Sequence, residues 1–222
     1  YTVTNGCDTA SATFPVTVNT STLPTVYGPT TQTQPAGTNT NMYEVNCEFI
    51  NTVVPNGGMP VSGNVTSKVW VEGAVPHVGV EPFVARHYEI TPATSPLTAT
   101  ARVTLYFLQS EFDDFNADAG STLDLPTNAG DAAGIANLRI GKYSGSSSDN
   151  SGLPATYSSC AIVIDPMDAD IVYNAALNRW EVSFDVNGFS GFIVQTSQVV
   201  LPVRIVSFAG RLNSDNSSTL YW

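Results

Sequence analysis

Apolar and polar side chains alternate along most of this chain, a pattern typical of β-strands with one buried face. Over residues 99–108, Val103, Leu105 and Phe107 fall on the same face, and the segment 179–186 repeats the pattern. Further strands are predicted at 42–50, 63–72, 80–90, 136–143, 160–165 and 190–196. Because two sheets can bury each other's apolar faces, the pattern predicts an all-β fold, an antiparallel β-sandwich of the Ig-like or jelly-roll type.

One short helix is predicted in an acidic segment near the middle of the chain. Ser110 is the expected N-cap, and Asp113 follows three residues later as in a capping box. The helix is expected over 111–116, with acidic residues in its first turn, where the helix dipole favours them. Phe112 and Phe115 then share one face. We expect these two rings to close one end of the sandwich.

Composition divides the chain into four parts. Residues 1–20 alternate around the turn sequence NGCD and are predicted to be the terminal strands of an Ig-like repeat. Residues 21–41 are rich in Pro and Thr, which is typical of an extended linker, although they also fit an ordered strand against the next domain. Residues 42–196 form the predicted sandwich. Residues 197–222 are expected to be strands that lead to a following domain absent here, because both chain ends have strand-like sequences.

The charge balance argues against two classes of partner. Eight Lys and Arg face 19 Asp and Glu, which gives a formal net charge of −11, and the only lysines are Lys68 and Lys142. Nucleic acids and anionic membrane surfaces both require a basic patch. No apolar run approaches the roughly 18 residues of a membrane-spanning helix. We therefore expect neither nucleic-acid binding nor membrane insertion.

The three cysteines, Cys7, Cys47 and Cys160, form no CxxC pair and no Cys/His cluster. In an oxidising compartment the simplest arrangement is one disulfide and one odd thiol. We predict a Cys47–Cys160 disulfide, with Cys7 pairing to a segment outside this chain. Three unpaired thiols are the alternative, since sequence alone does not determine the pairing.

No catalytic motif is present among the common hydrolase and phosphate-binding patterns. The chain lacks GxSxG, HExxH and a glycine-rich phosphate loop, and its histidines are His77 and His87. His87 and Glu89 share one face of a predicted strand while Arg86 and Tyr88 share the other, the ordinary pattern of a two-faced strand. A lone histidine without a nucleophile favours a structural role. We therefore predict a protein that is not an enzyme.

A cluster of oxygen-bearing side chains follows the predicted helix start. Asp114, Asn116 and Asp118 lie close in sequence, and carboxylate and amide oxygens are the ligands that calcium uses. These residues do not match the EF-hand pattern. The alternative is a solvated acidic surface, because helix starts attract acidic residues. Calcium at these three residues is the metal-site hypothesis, and no other cofactor is expected.

Aromatic residues offer a second kind of candidate site. Tyr143 and Tyr157 flank the Gly/Ser-rich loop SGSSSDNSGLPATYSS, and we expect them to be more exposed than the tryptophans. A loop of this length and composition is either a binding loop or simply mobile. If the loop binds a ligand, Tyr143 and Tyr157 are the residues that we expect to contact it.

Several motifs together resemble one bacterial family. The chain contains RHYEITP, TARVTLYF, EFDDFN, DAAGIANLRI, IDPMDADIVYN, NRWEVSFDVNGFSGF and LPVRIVSF. In combination they resemble the β-module found just before the sorting domain in large secreted proteins of Bacteroidetes. The first residues, YTVTNGCDTASATFPVTVN, resemble the last strands of an Ig-like or PKD-like repeat of bacterial surface proteins. The resemblance implies type IX secretion, an extracellular or cell-surface location and no catalytic pair.

These observations favour a non-enzymatic structural or adhesive module of a large cell-surface or secreted protein. Its expected partners are neighbouring domains of the same long chain or copies of itself, and a filament subunit completed by strand exchange is one specific form. The alternative is a carbohydrate-binding module attached to a secreted hydrolase. Glycan binding predicts an exposed row of aromatic rings, whereas a structural module predicts buried rings and end-to-end contacts.

Overall fold

A computed structural model describes residues 2–4, 9–11, 22–25, 28–37, 40–43, 48–159, 161–196, 209–212, 214 and 217–221. The three cysteines Cys7, Cys47 and Cys160 lie outside these residues, and so does the predicted disulfide between the last two. The first predicted strand pair is present as a short antiparallel ribbon in which Val3 pairs with Ala10.

The described part of the chain is mostly strand. In chain order the strands are β1 (Thr2–Thr4), β2 (Thr9–Ser11), β3 (Thr30–Pro35), β4 (Thr40–Tyr43), β5 (Phe49–Pro55), β6 (Asn64–Val71), β7 (His77–Val78), β8 (Glu81–Pro82), β9 (Arg86–Pro92), β10 (Thr100–Phe107), β11 (Arg139–Ser144), β12 (Ile162–Ile164), β13 (Ile171–Asn174), β14 (Arg179–Asn187), β15 (Ser190–Gln195), β16 (Ala209–Leu212) and β17 (Ser218–Tyr221). The helices are α1 (Gln109–Ala117) and α2 (Ala132–Asn137). Among these residues, no helix has both the length and the apolar character needed to cross a membrane.

Two antiparallel sheets form the body of the fold. One has five strands in the order β13-β14-β10-β5-β4, and the other has six in the order β12-β11-β15-β9-β6-β3. Each pair of neighbouring strands in both sheets is antiparallel. The predicted all-β, antiparallel sandwich is confirmed.

The core lies between the two sheets and follows the period-two pattern. On β10, Val103 pairs with Phe184 of β14 and Val53 of β5, and all three side chains are buried. The opposite sheet contributes Tyr88 and Ile90 from β9 to the same core. Burial of each such side chain stabilises the fold by about 1.5–3 kcal/mol relative to exposure. The alternation therefore both fixes the register and supplies the driving force.

The predicted buried face of helix α1 is confirmed, but the helix does not begin at the predicted residue. Phe112 and Phe115 are buried in the core, and the Phe112 ring contacts Phe107 and Trp180 at the paired ends of β10 and β14. The predicted cap at Ser110 is wrong, because the helix begins at Gln109 with Leu108 in the N-cap position.

The start of α1 is held by a side chain from inside the helix. Glu111 accepts a hydrogen bond from the Leu108 backbone N–H at 2.9 Å. Asp113, the expected capping partner, instead accepts from Gln109 Nε2 at 2.8 Å. Glu111 takes this role because the buried Arg86 fixes its carboxylate beside the helix start.

A second short helix replaces part of a predicted strand. The strand expected at 136–143 starts at Arg139, because Ala136 and Asn137 belong to α2. Asp131 caps α2 by accepting a hydrogen bond from the Gly134 backbone N–H at 3.0 Å. This N-cap stabilises a helix that includes Ala136 and Asn137, although the apolar pattern there also fits a strand.

Part of the Pro/Thr-rich segment belongs to the sandwich. Thr30–Pro35 forms β3, which pairs with β6 along the edge of the six-stranded sheet. Leu23, earlier in the segment, packs with Phe49 and Tyr106 in a separate small apolar cluster. Of the two interpretations drawn from the sequence, these residues follow the ordered strand. The boundaries between the four parts of the chain stay a prediction.

A buried ion pair joins α1 to the six-stranded sheet. Arg86 on β9 is fully buried, and its Nη2 lies 2.8 Å from Glu111 Oε1. Its Nε donates to both oxygens of the same carboxylate at 3.0 Å, and its Nη2 also donates to the Pro24 carbonyl at 2.7 Å. The guanidinium therefore connects β9, α1 and the segment 22–25.

We expect Glu111→Gln to lower the free energy of unfolding by about 3–5 kcal/mol, because it leaves the buried Arg86 charge without a countercharge. The matched control is Asp165→Asn, which neutralises the exposed partner of Arg139 and should cost less than about 1 kcal/mol. Urea denaturation measures both. Equal losses in the two variants would contradict the assigned role of the buried pair.

Candidate functional site

The outer face of the six-stranded sheet lies beneath the loop 145–159, here named the covering loop. The inner face of β9 enters the main core through Tyr88 and Ile90, so His87 and Glu89 point to the outer face. On the neighbouring strand β6, Lys68 pairs with Glu89 and Trp70 pairs with His87. The candidate site is this group of four side chains together with the covering loop.

A buried carboxylate lies at the centre of the site. Glu89 is only 2% exposed, and its Oε1 accepts from Lys68 Nζ at 3.1 Å. Its Oε2 accepts from the backbone N–H of Ser147 in the covering loop at 2.7 Å. Lys68 Nζ also donates to Asn150 Oδ1, at the tip of the loop, at 2.8 Å. One carboxylate thus holds both a neighbouring strand and the loop.

Two aromatic rings pack against His87, beside this polar centre. The Trp70 ring stacks on His87 with a centroid distance of 5.3 Å and an interplanar angle of 6°, and Phe83 meets His87 edge-on at 5.9 Å. His87 Nε2 lies 3.1 Å from Glu72 Oε1. The predicted faces of His87 and Glu89 are confirmed. The carboxylate that reaches the imidazole nevertheless belongs to Glu72, because Glu89 is held by Lys68 and Ser147.

The covering loop makes many of its contacts through its backbone. The Asn150 carbonyl accepts from Trp70 Nε1 at 3.1 Å, and Gly152 lies against the Trp70 ring so closely that a Cβ would be 2.7 Å from it. Asp149 Oδ1 accepts from the Ser151 N–H at 2.9 Å and from Ser147 Oγ at 3.1 Å. The Ser151 N–H is the main reason why the pKa of Asp149 lies below its usual range. The loop is folded onto the sheet by specific hydrogen bonds.

The structure brings the two sequence-predicted tyrosines together. Tyr143 and Tyr157 have ring centroids 6.0 Å apart, and both line an open cavity of about 410 Å³ bordered by Val78 and Pro154. Both tyrosines are buried, with only 5% and 9% of each residue exposed, although this is slightly more than Trp70 at 3% and Trp180 at 0%. The covering loop folds back over the sheet and carries Tyr157 with it. Their role in ligand binding stays a prediction.

The Tyr157 ring packs directly over Gly191, where the sheet has no side chain to block it. An added Cβ at Gly191 would lie 2.3 Å from Tyr157 Cζ, so the ring occupies the space above this glycine. Burial of the phenol, together with the nearby charge of Glu89, raises the pKa of Tyr157.

The three residues of the calcium hypothesis point to different partners. Asn116 exchanges hydrogen bonds with the Leu125 backbone, through Nδ2 at 2.9 Å and Oδ1 at 2.7 Å. Asp118 Oδ1 accepts from the Gly120 N–H at 2.8 Å and lies 3.0 Å from His77 Nε2, and these two contacts lower the pKa of Asp118. Asp114 is exposed and lines, with Asp118, a cavity of about 410 Å³.

No group of three or more His, Cys, Asp or Glu side chains suited to a metal occurs among the described residues. The Asn116 amide is occupied by backbone groups. Calcium binding by Asp114, Asn116 and Asp118 stays a prediction.

Sequence reasoning missed Lys68, Trp70 and Asn150 as members of one site. Lys68 and Glu89 are far apart in the sequence and become neighbours only because β6 pairs with β9. The available signal was the period-two placement of a charged residue in each of two strands, which does not reveal the pairing. Asn150 is recognisable only once the loop position is known.

We expect Gly191→Ala to lower the free energy of unfolding by about 1–3 kcal/mol, because the added methyl group overlaps the Tyr157 ring. Gly73→Ala is the control, since a Cβ there has no neighbour within 4 Å, and its effect should stay within about 0.5 kcal/mol. Urea denaturation in a Tyr157→Ala background completes the test. If Gly191→Ala costs as much in that background as in the native one, the strain does not come from Tyr157.

Comparison with known proteins identifies no relative of this chain. No protein-family model matches the chain. No curated protein and no solved structure matches it either.

Proposed function

We propose that this chain is a non-enzymatic structural or adhesive module of a large secreted or cell-surface protein. The observation that carries the proposal is that buried charged side chains hold separate segments of the chain together. Arg86 connects β9 to α1 and the segment 22–25, while Glu89 connects β9 to β6 and the covering loop. An active site directs such groups towards a substrate cleft. In this chain they bind segments of the protein to the sandwich.

The motif resemblance described above supports an extracellular location. Modules of that kind precede the sorting domain of secreted Bacteroidetes proteins, which suggests the type IX secretion route for this chain. The scarcity of lysine and the net charge of −11 agree with a partner that is neither nucleic acid nor an anionic membrane. The proposed partners are neighbouring domains of the same long protein or further copies of this chain.

Two open sheet edges support assembly by strand addition. Strand β12 borders the six-stranded sheet and β13 the five-stranded sheet, and each has a partner on one side only among the described strands. Ile162 on β12 is 56% exposed and Val172 on β13 is 50% exposed. Apolar side chains on an unpaired edge favour pairing with another strand. A filament subunit is thus a specific form of the proposal.

A carbohydrate-binding module is the second candidate function. It is favoured by the cavity that Tyr143 and Tyr157 line together, since small ligands bind in concave sites with aromatic walls. Binding to immobilised glycans that Tyr157→Ala abolishes would favour this candidate. Tyr173→Ala is the matched control, because that tyrosine lies on β13, away from the cavity.

We expect antibodies against this chain to label the outside of intact, unpermeabilised cells of the native source, or their secreted fraction, in electron microscopy. Label along regular fibres is the result for a filament subunit, and label on discrete surface particles is the result for an adhesive module. Permeabilised cells and pre-immune serum are the controls. Label that appears only after permeabilisation would overturn the proposed location and function.

A further inference from the structure

Three reactive groups from three separate elements meet on the outer face of the six-stranded sheet. The Lys68 amine on β6 lies 3.1 Å from Oε1 of Glu89 on β9 and 2.8 Å from Oδ1 of Asn150 in the covering loop. An amine, a carboxylate and a carboxamide at these distances contain every atom needed to form an amide bond between two side chains.

The amide carbon lies within reach of the amine. Because a C=O bond is about 1.2 Å long, the Asn150 Cγ is within about 4 Å of Lys68 Nζ. The Asn150 backbone is fixed by the Trp70 Nε1–H bond to its carbonyl. Its positive φ of 61° and the contact of Gly152 with the Trp70 ring hold the turn in place. Because the two groups are held close together, their reaction is intramolecular and has a lower entropic cost than an encounter in solution.

We propose that Lys68 and Asn150 form an intramolecular isopeptide bond, with Glu89 as the catalytic residue that transfers protons. The Glu89 carboxylate takes a proton from the Lys68 ammonium, and the amine lone pair forms a bond to Asn150 Cγ. The tetrahedral intermediate then collapses by breaking the bond from Cγ to Nδ2. Glu89 returns its proton to the departing nitrogen, which leaves as ammonia. The ammonia takes the remaining extra proton from the Lys68 nitrogen, so the products are the neutral Lys68–Asn150 amide and one ammonium ion. No oxidant, cofactor or other reactant is consumed.

The surroundings suit this proton transfer. Glu89 is buried, and its second oxygen is held by the Ser147 N–H, so its first oxygen faces the amine. The Trp70 ring lies 5.9 Å from Lys68 Nζ and shields one side of the amine, whose side chain is 24% exposed. Lys142, the other lysine, differs because it donates to the backbone carbonyls of Asn187 and Gly188. Neither of these two acceptors is a side-chain carboxamide such as that of Asn150.

The bond would attach the covering loop permanently to the sheet. It joins a loop residue to a strand 82 positions earlier in the chain. A covalent link of this kind stabilises the fold by restricting the unfolded chain. The inference agrees with a non-enzymatic module, because Glu89 acts once on side chains of its own chain and no external substrate is turned over. It is tested on the isolated chain, without a surface or a partner.

The decisive measurement is the intact mass of the purified chain. We expect the native chain to be lighter than its sequence mass by one ammonia, about 17 Da. Trypsin should then fail to cut after Lys68 and should yield a branched peptide that joins residues 1–86 to residues 143–179. An unmodified mass with cleavage after Lys68 would overturn the proposal.

Variants separate this bond from other losses of ammonia. Asn150 precedes Ser151, and cyclisation of Asn150 onto the following amide would produce the same mass loss without Lys68. We expect Lys68→Arg and Asn150→Ala each to restore the sequence mass, and Lys142→Arg to keep the loss. A loss that persists in Lys68→Arg would assign it to cyclisation and would overturn the proposal.

Glu89→Gln tests the catalytic role. It keeps a side chain of the same shape beside Lys68 but removes the proton acceptor, so we expect the rate of bond formation to fall by about 100-fold or more. Circular dichroism confirms that the variant is folded. A folded Glu89→Gln chain that forms the bond at the native rate would remove Glu89 from the mechanism.

Discussion

Strand β9 is buried on both faces and carries ionisable side chains on each, and this constraint organises the rest of the molecule. The five residues from Arg86 to Ile90 are all buried. A charge removed from water requires a partner, or the fold loses several kcal/mol. The partners of these residues come from other elements: Glu111 from α1 for Arg86, Glu72 from the segment after β6 for His87, and Lys68 with the Ser147 N–H for Glu89.

The two faces of β9 are therefore covered by different elements. On the inner side, Arg86 holds α1 and the segment 22–25 at one end of the sandwich, where Phe112 closes the core. On the outer side, Glu89 and Trp70 hold the covering loop, and Tyr157 fills the space above Gly191. The loop thus covers the outer face where it contacts β6, β9 and β15, which agrees with the proposed structural role.

The sequence predicted what depends on local periodicity and missed what depends on pairing. The longer central strands, the two-faced character of β9 and the shared face of Phe112 and Phe115 follow from the alternation and the helical spacing. Strand β13 was not predicted, and the predicted strand 42–50 overlaps only the end of β4 and the start of β5. The role of Glu111 did not, because it depends on Arg86, which lies on a different element. The covering loop is rich in Gly and Ser, and its contacts use backbone groups and the absence of side chains. Composition cannot distinguish such a loop from a mobile one.

The claim that buried charges on β9 fix the covering loop is tested most directly by hydrogen exchange of the loop amides, resolved by NMR. The Ser147 N–H is bonded to Glu89, and the Gly152 N–H is bonded to Ser147 Oγ. Both amides should exchange as slowly as the paired amides of β9, and Glu89→Ala should selectively accelerate them. Exchange of the Ser147 and Gly152 amides at the rate of an unstructured peptide in the native chain would contradict the account.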